Sequence, residues 1–221
     1  MIPTPRQLAL ALDHPESFAR EDFLSGPSNA AALALIECWP QWPARAILLV
    51  GPEGSGKSHL AAIWADMAGA RRIAARALDA AAVPGTLATG ALVIEDIVAH
   101  ELDERALFHA LNLAGEVDAF LLLTARQPPT AWNLCIRDLA SRLKALPVVS
   151  LAAPDDALLR AVLVKLFNDR QVIVDESLIG YVASRIERSF AAAQQIVEQL
   201  DIEAMRRKRP LTRALAAEVL R

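Results

Sequence analysis

The eight residues Gly51–Ser58, GPEGSGKS, constrain this chain more than any other stretch, because they satisfy the pattern G-x-x-x-x-G-K-[ST] at every fixed position. The apolar run Ala46–Val50 before them reads as a buried parallel strand. The segment His59–Ala68 after them has helical spacing and a glycine stop at Gly69. A strand that feeds a glycine turn and then a helix points successive backbone N–H groups into one concavity at the positive end of the helix dipole. Such a concavity fits a diphosphate. Gly54, Ser55 and Gly56 bring the backbone close to it, Lys57 carries a point charge to the outer phosphates, and Ser58 offers a hydroxyl to Mg²⁺. The expected cofactors are therefore ADP or ATP with Mg²⁺.

A second strand is expected over Arg71–Arg76, followed by a turn at Pro84 and Gly85. A third, at 90–96, ends in Glu95 and Asp96. Acids at such a strand end suit metal-bound water and orientation of an attacking water, which makes Glu95 a metal-site candidate and the pair catalytic candidates. The strand at 118–124 ends in Thr124, a candidate γ-phosphate sensor, and 147–151 completes a five-strand set. Helices fill the intervals, including one over Asn29–Cys38 capped by Ser28. Beyond Pro154 the pattern is helical only, with starts at Asp155, Asp175, Ser189 and Thr212. The fold class is α/β: a five-stranded parallel sheet at 17–153, then a small helical lid at 154–221, preceded by a peptide-like segment at 1–16.

With 54% hydrophobic residues the chain can bury a substantial core. No run reaches the roughly 18 apolar residues of a membrane span, and the N-terminus lacks a signal-peptide core, so a cytoplasmic protein with no membrane partner is expected. Cys38 and Cys135 lack metal or redox spacing and read as structural, and the four histidines form no zinc pattern. A net charge of −3 argues against a general nucleic-acid binder, while Arg206–Arg209 is a local basic cluster.

The order of phosphate loop, acidic strand end, Thr124, the DLASRL segment at 138–143 and a helical lid resembles the AAA+ family. Within it the stretches at 23–29, 51–60 and 123–129 are most similar to the DnaA initiator group, in particular its regulatory inactivators. The fold that this implies is an AAA+ P-loop NTPase core. Carried over by position, the resemblance implies that Phe23 and Leu24 lie near the adenine, Thr124 is sensor 1, Arg142 is an arginine finger, and Arg188 is the sensor 2 arginine at the nucleotide. The segment with Gln7, Leu8, Leu10 and Leu12 resembles the peptides that dock on the bacterial replicative sliding clamp, the β subunit of DNA polymerase III, though Ala11 lacks the bulk of some of them.

Together these imply a negative regulator of replication initiation. It would hold a nucleotide, dock on the DNA-loaded clamp, and stimulate ATP hydrolysis by DnaA in trans. The initiator's own N-terminal domain and C-terminal DNA-binding domain are not expected here, so DNA would be met indirectly, through the clamp. Self-association is possible in this family. Because the family more often begins the acidic pair with Asp where this chain has Glu95, hydrolysis in its own site is expected to be weak. A self-sufficient ATPase or clamp-loader-like subunit, and a DNA-tethering adaptor using Arg206–Arg209, stand as alternatives.

Overall fold

The computed structural model describes residues 18–220 and divides the chain at Asp155 and Asp156 into two compact units. The clamp-type residues Gln7, Leu8, Leu10 and Leu12 lie outside the described residues.

The first unit is built on β1 (Ala46–Val50), β2 (Arg71–Ala74), β3 (Ala91–Ile97), β4 (Phe120–Ala125) and β5 (Val148–Ser150), all parallel, in the order β2-β3-β4-β1-β5. All five residues of β1 are buried, as a strand covered on both faces requires, whereas the edge strands β2 and β5 are partly exposed. Its helices are α1 (Ala30–Glu37), α2 (Lys57–Ala68), the short α3 (Val83–Thr86), α4 (Glu104–Glu116) and α5 (Arg137–Ala145). Leu48, Leu92, Ile94, Leu121 and Leu123 pack on Leu107 of α4 and Leu139 and Leu143 of α5. Ile47, Leu49, Val93 and Leu122 pack on the other side against Leu33 and Ile36 of α1 and Leu60 and Trp64 of α2. Trp42 stacks on Trp64 at 4.8 Å between ring centres.

The second unit holds α6 (Asp156–Asp169), α7 (Glu176–Ala183), α8 (Phe190–Arg207) and α9 (Arg213–Val219). Leu159, Leu163, Phe167, Val182, Val197 and Leu200 form its core. Of the four helix starts expected from the sequence, Asp175, Ser189 and Thr212 each accept a first-turn N–H. Hydrogen bonds from Ser177 and the Leu178 N–H hold the Asp175 carboxyl below the usual aspartate range.

Several local expectations are corrected. Helix α1 begins at Ala30 with Asn29, not Ser28, at its cap position. Asn29 Oδ1 accepts the Gly26 N–H at 2.8 Å and its Nδ2 donates to the Leu24 carbonyl at 3.0 Å, so the side chain braces the preceding loop. Strand β2 stops at Ala74, where a 3-10 turn begins, and the expected turn at Pro84 and Gly85 is a one-turn helix with proline at its start. Cys38 and Cys135 are free and exposed, so neither packs in a core.

The junction of β1 with the glycine turn tolerates no side chain. A Cβ at Gly51 would meet the Leu151 carbonyl oxygen at 2.6 Å and Ser55 Oγ at 2.8 Å. Gly51→Ala is expected to destabilise the chain by about 1–3 kcal/mol in urea unfolding, and an unchanged midpoint would contradict this contact.

Candidate functional site

Parallel pairing brings the carboxyl ends of β1, β3 and β4 to one edge: Leu49 pairs with Thr124, Ile94 with Leu123, and the Gly51 N–H donates to the Ala125 carbonyl at 3.2 Å. Ligands of open α/β sheets bind at this edge. The phosphate-loop residues, the two acids and Thr124 therefore converge there from positions up to about seventy residues apart.

Gly54 (φ 68°) and Gly56 (φ 95°) adopt left-handed backbone that side chains rarely take, and Gly56 starts α2 without a side-chain cap. The first N–H groups of α2 are thus available to an anion. The buried Lys57 Nζ donates to the carbonyls of Gly51 and Pro52 at 2.8 and 2.7 Å. Burial pushes its pKa below the usual lysine range; Asp96 opposes this, Arg126 adds to it, and Glu53 opposes it. Ser55 Oγ is buried and finds no hydrogen-bond partner among the described residues. An orphaned hydroxyl inside a glycine loop, beside a partly desolvated lysine, is a donor set that fits phosphate oxygens. Ser58 is half-buried at the same helix start.

The acidic pair is arranged differently from expectation. Glu95 Oε1 accepts from both Nε and Nη2 of Arg72, at 2.9 and 2.8 Å. A shift in the β3–β4 register between Ile94 and Ile97 turns Asp96 to φ 54°, and its N–H donates to Thr124 Oγ1 at 2.9 Å. Asp96, rather than Glu95, is the acid whose charge acts on Lys57. Among the described residues no group of three or more His, Cys, Asp or Glu side chains is placed to hold a metal. Of the two residues expected at the metal, Ser58 lies at the start of α2 and Glu95 has one oxygen, Oε1, bound by the Arg72 guanidinium.

Thr124 is fully buried and its Oγ1 accepts the Asp96 N–H, so it secures the turned backbone. Arg126, just beyond β4, reaches the loop and pairs with Glu53 at 2.7 Å. Phe23 is buried edge-on against His59, 5.2 Å between ring centres, and Leu24 is half-buried with its carbonyl held by Asn29. His59 also meets Phe18 edge-on and hydrogen-bonds the Ala19 carbonyl at 3.0 Å. Arg72, Arg126, Phe18 and His59 are members of this neighbourhood that motif reading missed. Only His59, directly after Lys57 and Ser58, carried a positional hint.

Two further candidates are arginines. Arg142 is exposed on α5, its guanidinium 5.5 Å above the Phe108 ring, and it makes no ion pair among the described residues. The start of α5 is fixed by Glu104, whose two oxygens accept the N–H groups of Cys135 and Ile136 at 2.8 and 2.7 Å. In the second unit Arg188 is exposed and paired with Asp156 at 2.8 Å. The basic cluster is partly compensated: Arg206 and Arg207 pair with Glu203, and Arg207 and Arg209 with Glu218.

No protein-family model matches the chain. Among solved structures, the crystal structure of domain III of the Thermotoga maritima replication initiation protein DnaA is similar with a TM-score of 0.78 and 18% identity, covering 92% of this chain and 95% of that one. AMPPCP-bound DnaA from Aquifex aeolicus is similar at 0.68 and 16% identity, over 86% of this chain and 66% of that one. The Thermotoga maritima RuvB Holliday junction branch migration motor is similar at 0.73 and 18%, over 92% of this chain and 71% of that one. These likenesses show the fold: an α/β core with a five-stranded parallel sheet, of the AAA+ kind found in DnaA and RuvB.

Thr124→Val, which removes the acceptor for the Asp96 N–H, is expected to cost about 1–3 kcal/mol in urea unfolding, whereas Thr124→Ser keeps the bond and most of the stability. Equal loss in both variants would show that the hydroxyl does not hold this backbone.

Proposed function

We propose that this chain is a nucleotide-holding regulator of DNA replication initiation, of the type of Hda, the DnaA-related regulatory inactivator. The phosphates of ADP or ATP take the N–H groups of Gly54, Gly56 and the start of α2, the Ser55 and Ser58 hydroxyls, and the Lys57 ammonium. Bound phosphate gives Lys57 the counter-charge that its own loop carbonyls only partly supply, and favours its charged form. The nucleotide serves chiefly to order the loop.

The regulatory work lies at Arg142. The observation that supports it best is an exposed arginine on a firmly seated helix, resting on an aromatic ring and with no carboxylate partner among the described residues. Ring contact limits the side chain's freedom without neutralising its charge, which suits a cation destined for another molecule's phosphates. Entering the ATP site of DnaA, it stabilises the charge that develops on the transferring γ-phosphoryl group. Glu104, by fixing the start of α5, positions it.

Docking on the sliding clamp through Gln7, Leu8, Leu10 and Leu12 confines this activity to DNA that is being replicated. The DNA-tethering alternative would use Arg206–Arg209, three of whose four cations already pair with Glu203 and Glu218.

Arg142→Ala is expected to abolish stimulation of DnaA ATP hydrolysis, a loss of about 10³- to 10⁵-fold for an arginine finger, while nucleotide affinity and clamp binding stay as in the native chain. Undiminished stimulation would reject the assignment. Gln7→Ala is expected to weaken binding to the isolated clamp at least about tenfold, read by surface plasmon resonance, with no change in melting temperature. Clamp affinity that does not change would remove that segment from the docking role.

A further inference from the structure

Of the two acids at the end of β3, Glu95 is paired with a cation of the chain itself, and the direction in which it is drawn is informative. In the order β2-β3-β4-β1-β5, β2 lies on the far side of β3 from β1 and its phosphate loop. Ala74 of β2 pairs with Glu95, so Arg72, two residues earlier, projects on the same sheet face and meets the carboxylate diagonally. Two guanidinium nitrogens bind one oxygen, and the pair is sheltered, with the Glu95 side chain only 14% exposed. The Arg72 guanidinium also lies 5.9 Å from the centre of the Phe18 ring. Glu95 is thus held toward the sheet edge, and Asp96 is the acid that acts on Lys57.

A divalent cation at a nucleotide needs uncompensated negative oxygens nearby to orient its waters, and Mg²⁺ is exacting about their placement. At this strand end the Glu95 carboxylate is neutralised by a guanidinium that would repel the ion, and the backbone of the neighbouring Asp96 is turned to φ 54° and held by Thr124. Breaking the sheltered Arg72–Glu95 pair to make room would strand a half-buried charge, which is strongly unfavourable.

The geometry points to a nucleotide site that works without a divalent cation: Arg72 takes the place that Mg²⁺ would claim on Glu95, so that ADP binds as the free anion. This rests on the nucleotide-binding reading above and adds that the binding is indifferent to metal. Arg72 acts here as a positioning residue, through Glu95, and not as a phosphate contact.

The test is the affinity of the nucleotide-free full-length chain for fluorescent ADP, measured in EDTA and in millimolar Mg²⁺. The native chain is expected to show the same Kd in both buffers, within about twofold. Arg72→Met, which frees Glu95, is expected to become metal-dependent, binding about tenfold or more tightly with Mg²⁺ than in EDTA; Arg72→Lys, which keeps a cation beside Glu95, should resemble the native chain. A native Kd that rises tenfold or more in EDTA overturns the inference and leaves the nucleotide site standing. Absence of binding in both buffers overturns the inference and the nucleotide reading together. A folded Arg72→Met chain that stays indifferent to metal overturns the role given to Arg72, and should that variant not fold, the native comparison decides alone.

Discussion

Burial of β1 on both faces between β4 and β5 is the constraint from which the site follows. A strand whose five residues are all buried cannot end in a wandering loop. Its hydrogen bonds to β4 continue through the Gly51 N–H to the Ala125 carbonyl, so the chain leaves the sheet at a defined point and direction. The crowded Leu151 carbonyl at that point demands glycine, and the left-handed turns at Gly54 and Gly56 aim the start of α2 back over the strand ends. Helix α2 is anchored in turn by Leu60 and Trp64 in the core below. The anion-binding concavity is thus a consequence of core packing, and its helix dipole and N–H groups require no side-chain chemistry to attract phosphate.

The same edge shows how charge is shared. Lys57, Asp96, Arg126 and Glu53 form a neighbourhood in which each cation has an acid within electrostatic reach, and Glu95 is withdrawn from it by Arg72. In the reading proposed above this edge holds a nucleotide, and one of the two acids expected to take part in hydrolysis, Glu95, is paired with Arg72. That is consistent with placing catalytic work on Arg142, at the surface of a separate helix. The two roles then have separate supports: the glycine loop and α2 for holding, Glu104 and α5 for presenting the arginine.

Much of this was legible in the residue order, and what was not has a common cause. The loop, the five strands and the three helix caps of the second unit depend on local pattern: apolar runs, glycines at fixed spacing, and Asp175, Ser189 and Thr212 ahead of helical segments. Some of what that pattern did not carry is contact between residues distant in sequence. Arg72 and Glu95 are separated by 23 positions and meet only because β2 and β3 are neighbours in this register. Thr124 has a plausible motif position, but the shifted register that turns Asp96 toward it leaves no trace in composition. Asn29, not Ser28, stands at the helix start, where the two ends of its amide span the Gly26 N–H and the Leu24 carbonyl.

The holding role of the glycine loop is tested most directly by equilibrium dialysis of radiolabelled ADP against the native full-length chain and a folded Lys57→Ala variant. One nucleotide bound per native chain, and none per variant at the same concentrations, is the predicted result. No binding by the native chain, or undiminished binding after loss of Lys57, would contradict the reading of Gly51–Ser58 as a nucleotide site.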